Sequence, residues 1–250
     1  AFHCVENATR LTAEFSHLQK NPIESEIVCF NRYLDVSLIR VPLDDAERKQ
    51  ITKLPKGDSD SVILTKPVLV AGFALANDFQ ATSGSVSGRT VSSIQVDCAV
   101  NGGNSGGPLL DTEGRVLGVV CSGMVGDVQG VNFTCPIIEA CTSLRYALKN
   151  KSSSSSIPSS PSLSFNATFV PSSDRLASRF GCPSGAFVTQ VHPKSALASM
   201  GMRRQDLLCT IDEYKVNFRG KVNVQWWRDI DPLDVETLLY RKTLGDEISV

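Results

Sequence analysis

The chain has 250 residues, 42% of them hydrophobic and 20% charged, with a formal net charge of −1 at pH 7. That length and composition suit one large or two medium globular domains with a buried core. The near-zero charge gives no electrostatic case for nucleic acid or an anionic membrane as the main partner, and the longest apolar stretch, Pro67 to Ala76, is too short to span a bilayer.

From residue 1 to about 150, short β-branched runs alternate with turn signals: Ser25 to Phe30, Val36 to Val41, Pro67 to Gly72, Gly84 to Arg89, Ser93 to Ala99, Val116 to Cys121 and Gly130 to Cys135. The pattern predicts an antiparallel barrel or sandwich. Apolar spacing of three and four then predicts a helix over Ile137 to Lys149. The serine- and proline-rich run 151–161 is too polar to pack and reads as a linker. A smaller unit, 162–250, follows, with strands at Gly185 to Val191 and Leu207 to Ile211, a short helix at Ser195 to Met200, and a last strand beginning after Gly245-Asp246. Trp226 and Trp227, placed on a strand, face opposite ways, so one is core and the other is exposed.

Eight cysteines include no C-x-x-C pair, so neither a zinc nor a redox motif is present. Cys29, Cys98, Cys121 and Cys209 lie in apolar runs and are expected as buried free thiols; Cys4 is also expected free. That leans towards a reducing, intracellular compartment, while Asn-x-Thr triplets at Asn7, Asn132 and Asn166 lean the other way.

Three histidines occur, at positions 3, 17 and 192. His17 sits in a polar loop and His192 in a turn before Pro193. His3 sits among small apolar residues, at the expected edge of a packed strand. Asp35 heads the apolar run VSLIRV, where a half-buried carboxylate needs a partner. The run QVDCAVNGGNSGGPLL surrounds Ser105 with residues that permit positive φ, so its backbone can aim N–H groups at one point beside a hydroxyl. His3, Asp35 and Ser105 follow one another in the order of chymotrypsin-type serine peptidases.

At this point the resemblance is specific. IQVDCAVNGGNSGGPLLDTEGRVLGV resembles the serine segment of the HtrA (Deg) peptidases, HCVENATRLTAEF their histidine segment and DVSLIRV their aspartate strand. VLVAGFALANDFQATSGSVSGRT resembles the strands before their serine, and GAFVTQVHPKSALASMGMRRQDLLCTID their PDZ domain. The run before GVNFTCPI and the stretch VNFRGKVNVQWW are most similar to the plant and fungal Deg branch.

The resemblance implies a mainly β chain: a trypsin-like double β-barrel over 1–150 lacking its first strands, so that the natural chain is expected to be longer, then the linker and an α+β PDZ-like domain. It implies His3, Asp35 and Ser105 as the triad, and Gly103, Asn104 and Ser105 as the oxyanion turn. Val120, Cys121, Ser122 and Gly123 become the substrate-pairing edge beside a modest apolar pocket. Ser162, Leu163, Ser164 and Phe165 fall at the carboxylate-binding loop, with serine in both glycine positions, so peptide capture there is expected to be weak.

The activity implied is an ATP-independent serine endopeptidase of protein quality control, acting on unfolded or damaged polypeptides, trimeric or a multiple of trimers, with no cofactor and no metal. The compartment implied is a eukaryotic organelle, the mitochondrion first, the plastid or nucleus next. Asn101-Gly102-Gly103-Asn104-Ser105 replaces the family's usual Asn-Pro-Gly-Asn-Ser, and this softened turn motivates an alternative, a protease-fold scaffold subunit without turnover.

Overall fold

The computed structural model describes residues 1–18, 22–76, 78–123, 130–149, 157–159, 165–227, 232–242 and 247–250. The chain forms two compact units, Ala1–Pro161 and Ser162–Val250, and is mainly β.

In the first unit, β1 (Thr12–Ala13) pairs with β2 (Ile23–Glu24), and β3 (Glu26–Asn31) with β4 (Val36–Arg40). A five-residue helix α1 (Asp45–Lys49) follows, closed by a reciprocal capping box between Asp44 and Glu47. Six further strands make a closed antiparallel barrel: β5 (Pro67–Gly72), β6 (Gln80–Arg89), β7 (Ile94–Val96), β8 (Pro108–Leu110), β9 (Val116–Gly123) and β10 (Asn132–Pro136), in the order β10-β7-β6-β5-β8-β9. Alternation along the strands, offset on β9 where its pairings shift register, turns Val68, Val70, Val86, Ile94, Val96, Leu109, Leu117 and Val120 into its core.

Helix α2 (Ile137–Lys149) starts directly after Pro136 and packs against β3, β9 and β10. Its Ala140 joins Leu34, Val36, Cys121 and Cys135 in a second core outside the barrel. Asn132, read above as a glycan acceptor, is buried and donates its amide to the Cys98 carbonyl at 2.8 Å, which excludes a glycan there in this fold.

In the second unit, β11 (Ala167–Pro171), β12 (Ala186–Val191) and β13 (Leu207–Leu208) form one sheet. Two-stranded sheets follow, β14 (Thr210–Ile211) with β15 (Tyr214–Lys215) and β16 (Lys221–Val222) with β17 (Leu233–Asp234). The short helices are α3 (Asp174–Arg179), capped by Ser173, and α4 (Ala196–Ser199).

Several expectations change here. The strand expected over Leu207 to Ile211 breaks at Cys209, and this thiol is not free: it forms a disulfide with Cys182. Glu247 to Val250 is not a strand; the Ser249 carbonyl instead accepts the Asp212 N–H at 2.8 Å, and the Ser249 N–H donates to the Asp212 side-chain Oδ1 at 3.1 Å. Trp226 and Trp227 sit at a turn, both half-buried and packed edge to face at 6.4 Å, so the alternating-strand argument does not apply. The Arg241 guanidinium lies 4.4 Å from the Trp226 ring centre, a cation–π contact that accounts for part of this burial.

Candidate active site

His3 lies in a turn, with its side chain 49% exposed, and not at a strand edge as its apolar neighbours suggest. The anchor is the residue before it. Phe2 is buried, stacks on Phe30 at 4.2 Å between ring centres, and donates its N–H to the Asp35 carbonyl at 3.0 Å.

Asp35 is delivered by the β3–β4 hairpin. Asn31 Oδ1 accepts the N–H groups of Tyr33 and Leu34, both at 2.9 Å, an Asx turn that folds residues 32–35 back before β4. Asp35 itself takes a left-handed φ of 53°, which aspartate tolerates better than most residues. Its carboxylate then meets His3 twice. Oδ2 is 2.6 Å from the ring Nδ1 and Oδ1 accepts the His3 N–H at 2.7 Å. With Nδ1–H engaged by Asp35, the lone pair of the imidazole falls on Nε2.

What faces Nε2 is the thiol of Cys4, at 3.5 Å; the same sulfur lies 3.9 Å from the Ser105 carbonyl oxygen. One thiol therefore bridges the imidazole and the serine main chain. Ser105 Oγ donates to the Cys121 carbonyl at 3.3 Å. Sequence order puts the triad members in register, but it does not contain this resting arrangement, in which the hydroxyl and Nε2 are each turned to another partner.

The turn around Ser105 is built for close approach. Gly103 has φ of 100°, and a Cβ there would strike the Phe73 carbonyl. Gly107 is similarly pressed on the Ala71 carbonyl. Asn104 donates its N–H to the Asn101 carbonyl at 3.0 Å, and its buried side chain packs beneath the turn against Gly72. The N–H groups of Gly103 and Ser105 donate to no acceptor among the described residues. Two unengaged donors on either side of Asn104 are what binding an oxyanion requires.

The expected substrate edge is shorter than Val120 to Gly123. Val120 is buried in the barrel core, donates its N–H to Gly107 at 2.9 Å and accepts from Gly106 at 2.7 Å, so it offers nothing to a peptide. The edge begins at Cys121, because β8 pairs with β9 only from Val119 downwards while β10 pairs along its other side through Ser122 and Gly123. The Cys121 side chain does not line a pocket. It faces the second core, its sulfur 3.5 Å from the Leu34 carbonyl, and burial pushes its thiol up to about 11. Burial also raises Cys135, Cys29 and Cys98.

Of the proposed carboxylate loop, Ser162, Leu163 and Ser164 lie outside the described residues. Phe165 is buried and packs edge to face with Phe169 at 6.4 Å. His17 and His192 are exposed, and His192 Nδ1 accepts the Lys194 N–H at 3.2 Å. No group of three or more metal-ligating side chains gathers among the described residues, and none of their helices is long and apolar enough to cross a membrane.

Residues 1–119 match the trypsin-like peptidase domain. The chain is 29% identical over 150 residues to Protease Do-like 1, chloroplastic, of Arabidopsis thaliana, covering 54% of this chain and 33% of that protein. It is 28% identical over 227 residues to the probable periplasmic serine endoprotease DegP-like of Halomonas elongata, covering 86% and 45%. The chain thus spans less than half the length of either relative. Among solved structures, the HtrA-type protease AlgW with tripeptide superposes with a TM-score of 0.68 at 18% identity over 93% of this chain and 81% of that one, which is a likeness of fold. The trypsin-like domain match spans the His3, Asp35 and Ser105 segments, and the chain is similar in sequence to Do-like and DegP-like serine proteases and in fold to an HtrA-type protease.

Proposed function

We propose that the protein is a serine endopeptidase in which Ser105 is the nucleophile, His3 the general base and Asp35 the group that orients His3. The observation that carries this reading is the pair of hydrogen bonds that the Asp35 carboxylate accepts from the His3 ring and N–H, set beside a serine whose turn offers two unengaged N–H donors. Turnover requires Ser105 Oγ to rotate from the Cys121 carbonyl to Nε2, with the Cys4 thiol moving aside; hydrogen bonds of this kind are often formed only once substrate is bound. Oγ then attacks the peptide carbonyl while Nε2 takes its proton, and the oxyanion settles on the N–H groups of Gly103 and Ser105. The imidazolium returns the proton to the leaving amine, and water repeats the sequence on the acyl-enzyme.

The substrates in this reading are unfolded or damaged polypeptides, which can present an extended segment to the β9 edge beyond Val120. Protein quality control without ATP, assembly in trimers and weak capture of a peptide terminus by a PDZ-like second unit belong to the same proposal. The compartment is an organelle; the chloroplastic relative supports this, and the Cys182–Cys209 disulfide favours one that keeps thiols oxidised. One observation favours the alternative of a scaffold without turnover: the hydroxyl of Ser105 rests on Cys121 and not on His3. Hydrolysis of unfolded casein by the purified protein, compared with Ser105→Ala, separates the two. Cleavage lost in the variant supports the peptidase, and equal, negligible cleavage by both supports the scaffold.

A further inference from the structure

The loop between β5 and β6 sets three large apolar side chains in water beside the oxyanion turn. Phe73, Leu75 and Phe79 are 59%, 67% and 64% exposed, while Ala74 between the first two is buried and anchors the chain. Phe73 and Phe79 pack edge to face at 5.7 Å. Leu75 adopts a left-handed φ of 57°, an unfavourable conformation for a leucine, and donates its N–H to the Gly102 carbonyl at 2.6 Å. The Phe73 carbonyl presses on Gly103. The loop is thus tied to the turn by backbone contacts at Gly102 and Gly103, and its apolar side chains are left over, contributing little to the core. Contiguous apolar exposure next to a reactive group marks a recognition surface more often than an accident of packing.

We propose that Phe73, Leu75 and Phe79 form an apolar lip that holds an apolar side chain of the polypeptide being cut, on the leaving side of the scissile bond. This rests on the peptidase reading. The Ser105 turn lies between two features, the β9 edge reached through the Ser105 hydroxyl and Cys121, and the lip reached through Gly102 and Gly103. A peptide paired to the edge, with its scissile carbonyl on the Gly103 and Ser105 N–H groups, continues past Gly103 into the lip. At about 3.3 Å per extended residue, the first three residues after the cut pass within its reach. An unfolded chain supplies apolar side chains there that a folded surface hides, so the lip selects the same substrates as the active site without touching the chemistry.

The test digests unfolded casein with the full chain and with Phe73→Ser and Phe79→Ser, maps cut sites by mass spectrometry, and labels Ser105 in each protein with a fluorophosphonate. The expected result is equal labelling in all three, with Val, Leu, Ile or Phe enriched within three residues after the cut for the parent chain only, and such sites cut about 10-fold more slowly by the variants. Equal labelling with an unchanged cut-site preference overturns the lip and leaves the peptidase standing. Absence of labelling in the parent chain overturns the peptidase reading itself, and the lip with it. Concentration-dependent self-association that Phe79→Ser abolishes while the cut sites stay the same assigns the surface to a second copy of the chain, and also overturns the lip.

Discussion

The hydroxyl of Ser105 and the carbonyl of Cys121 are joined by a hydrogen bond of 3.3 Å that turns the proposed nucleophile to a partner other than His3. The acceptor is the first residue of β9 whose backbone β8 leaves free, so the carbonyl that restrains the serine at rest belongs to the edge proposed to pair with substrate. In the proposed mechanism, a peptide occupying that edge competes for the same neighbourhood and is expected to release the hydroxyl towards Nε2.

Asp35→Asn keeps the size of the side chain but removes the acceptor that fixes Nδ1–H, so the wrong tautomer of His3 is populated. A loss of about 10⁴-fold in kcat is expected, with the fold retained. Steady-state kinetics on a casein-derived peptide, with circular dichroism as the fold control, checks it; a loss below about tenfold contradicts the role given to Asp35.

Cys4 is exposed and its sulfur faces Nε2, whereas burial raises the thiols of Cys29, Cys98, Cys121 and Cys135. Brief treatment with iodoacetamide is expected to alkylate Cys4 first and to abolish activity by blocking the approach of Ser105 Oγ to the imidazole. Cys4→Ala is expected to keep activity and to resist the reagent. Peptide mapping by mass spectrometry gives the modified site.

Gly103→Ala adds a methyl group against the Phe73 carbonyl at a φ that alanine avoids. The turn must shift, displacing a proposed oxyanion donor, and kcat is expected to fall by about 10²–10³-fold with KM changed far less. A change confined to KM would show that Gly103 serves binding and not the transition state.

Asp111 closes the β8–β9 turn. Its carboxylate, nearly inaccessible, accepts the N–H groups of Glu113 and Arg115 at 3.0 and 2.9 Å and the Arg115 guanidinium at 2.8 Å. Burial pushes its pKa up, but the Arg115 and Glu113 bonds outweigh it and leave the group below the ordinary carboxylate value. A depressed folded pKa means stability that is present above the unfolded pKa of about 3.9 and is lost as pH falls through the folded value. Asp111→Ala is therefore expected to cost about 2–4 kcal/mol near neutral pH, where the carboxylate is charged, and progressively less below pH 4. Urea unfolding of both proteins across pH 3–7 measures this; a difference that stays constant with pH counts against the charged bonds.

How much of this was legible in the sequence depends on how local each feature is. The segment around Ser105 compresses nucleophile, turn and following strand into one stretch, and Pro67–Gly72 and Ile137–Lys149 carry their own periodicity, so both appear with the predicted boundaries. For His3, AFHCV reads equally well as a strand edge or a packed turn, and only the long-range stacking of Phe2 on Phe30 decides between them. Cys121 shows the same limit. Alternation with the core residue Val120 requires it to face outwards, but whether that face is a cleft or a second core depends on the β3–β4 hairpin and α2, which are distant in sequence. Asn31 has a local signal, since FNRYLD contains the side chain that an Asx turn needs. The Cys182–Cys209 pairing has no local signal at all.

The most direct measurement is fluorophosphonate labelling of the purified chain against Ser105→Ala, with and without unfolded casein present. The account predicts labelling of Ser105 that disappears in the variant and increases when a peptide occupies the β9 edge and frees the hydroxyl from Cys121. A folded protein that stays unlabelled under both conditions would contradict it, since the serine would then have no working base.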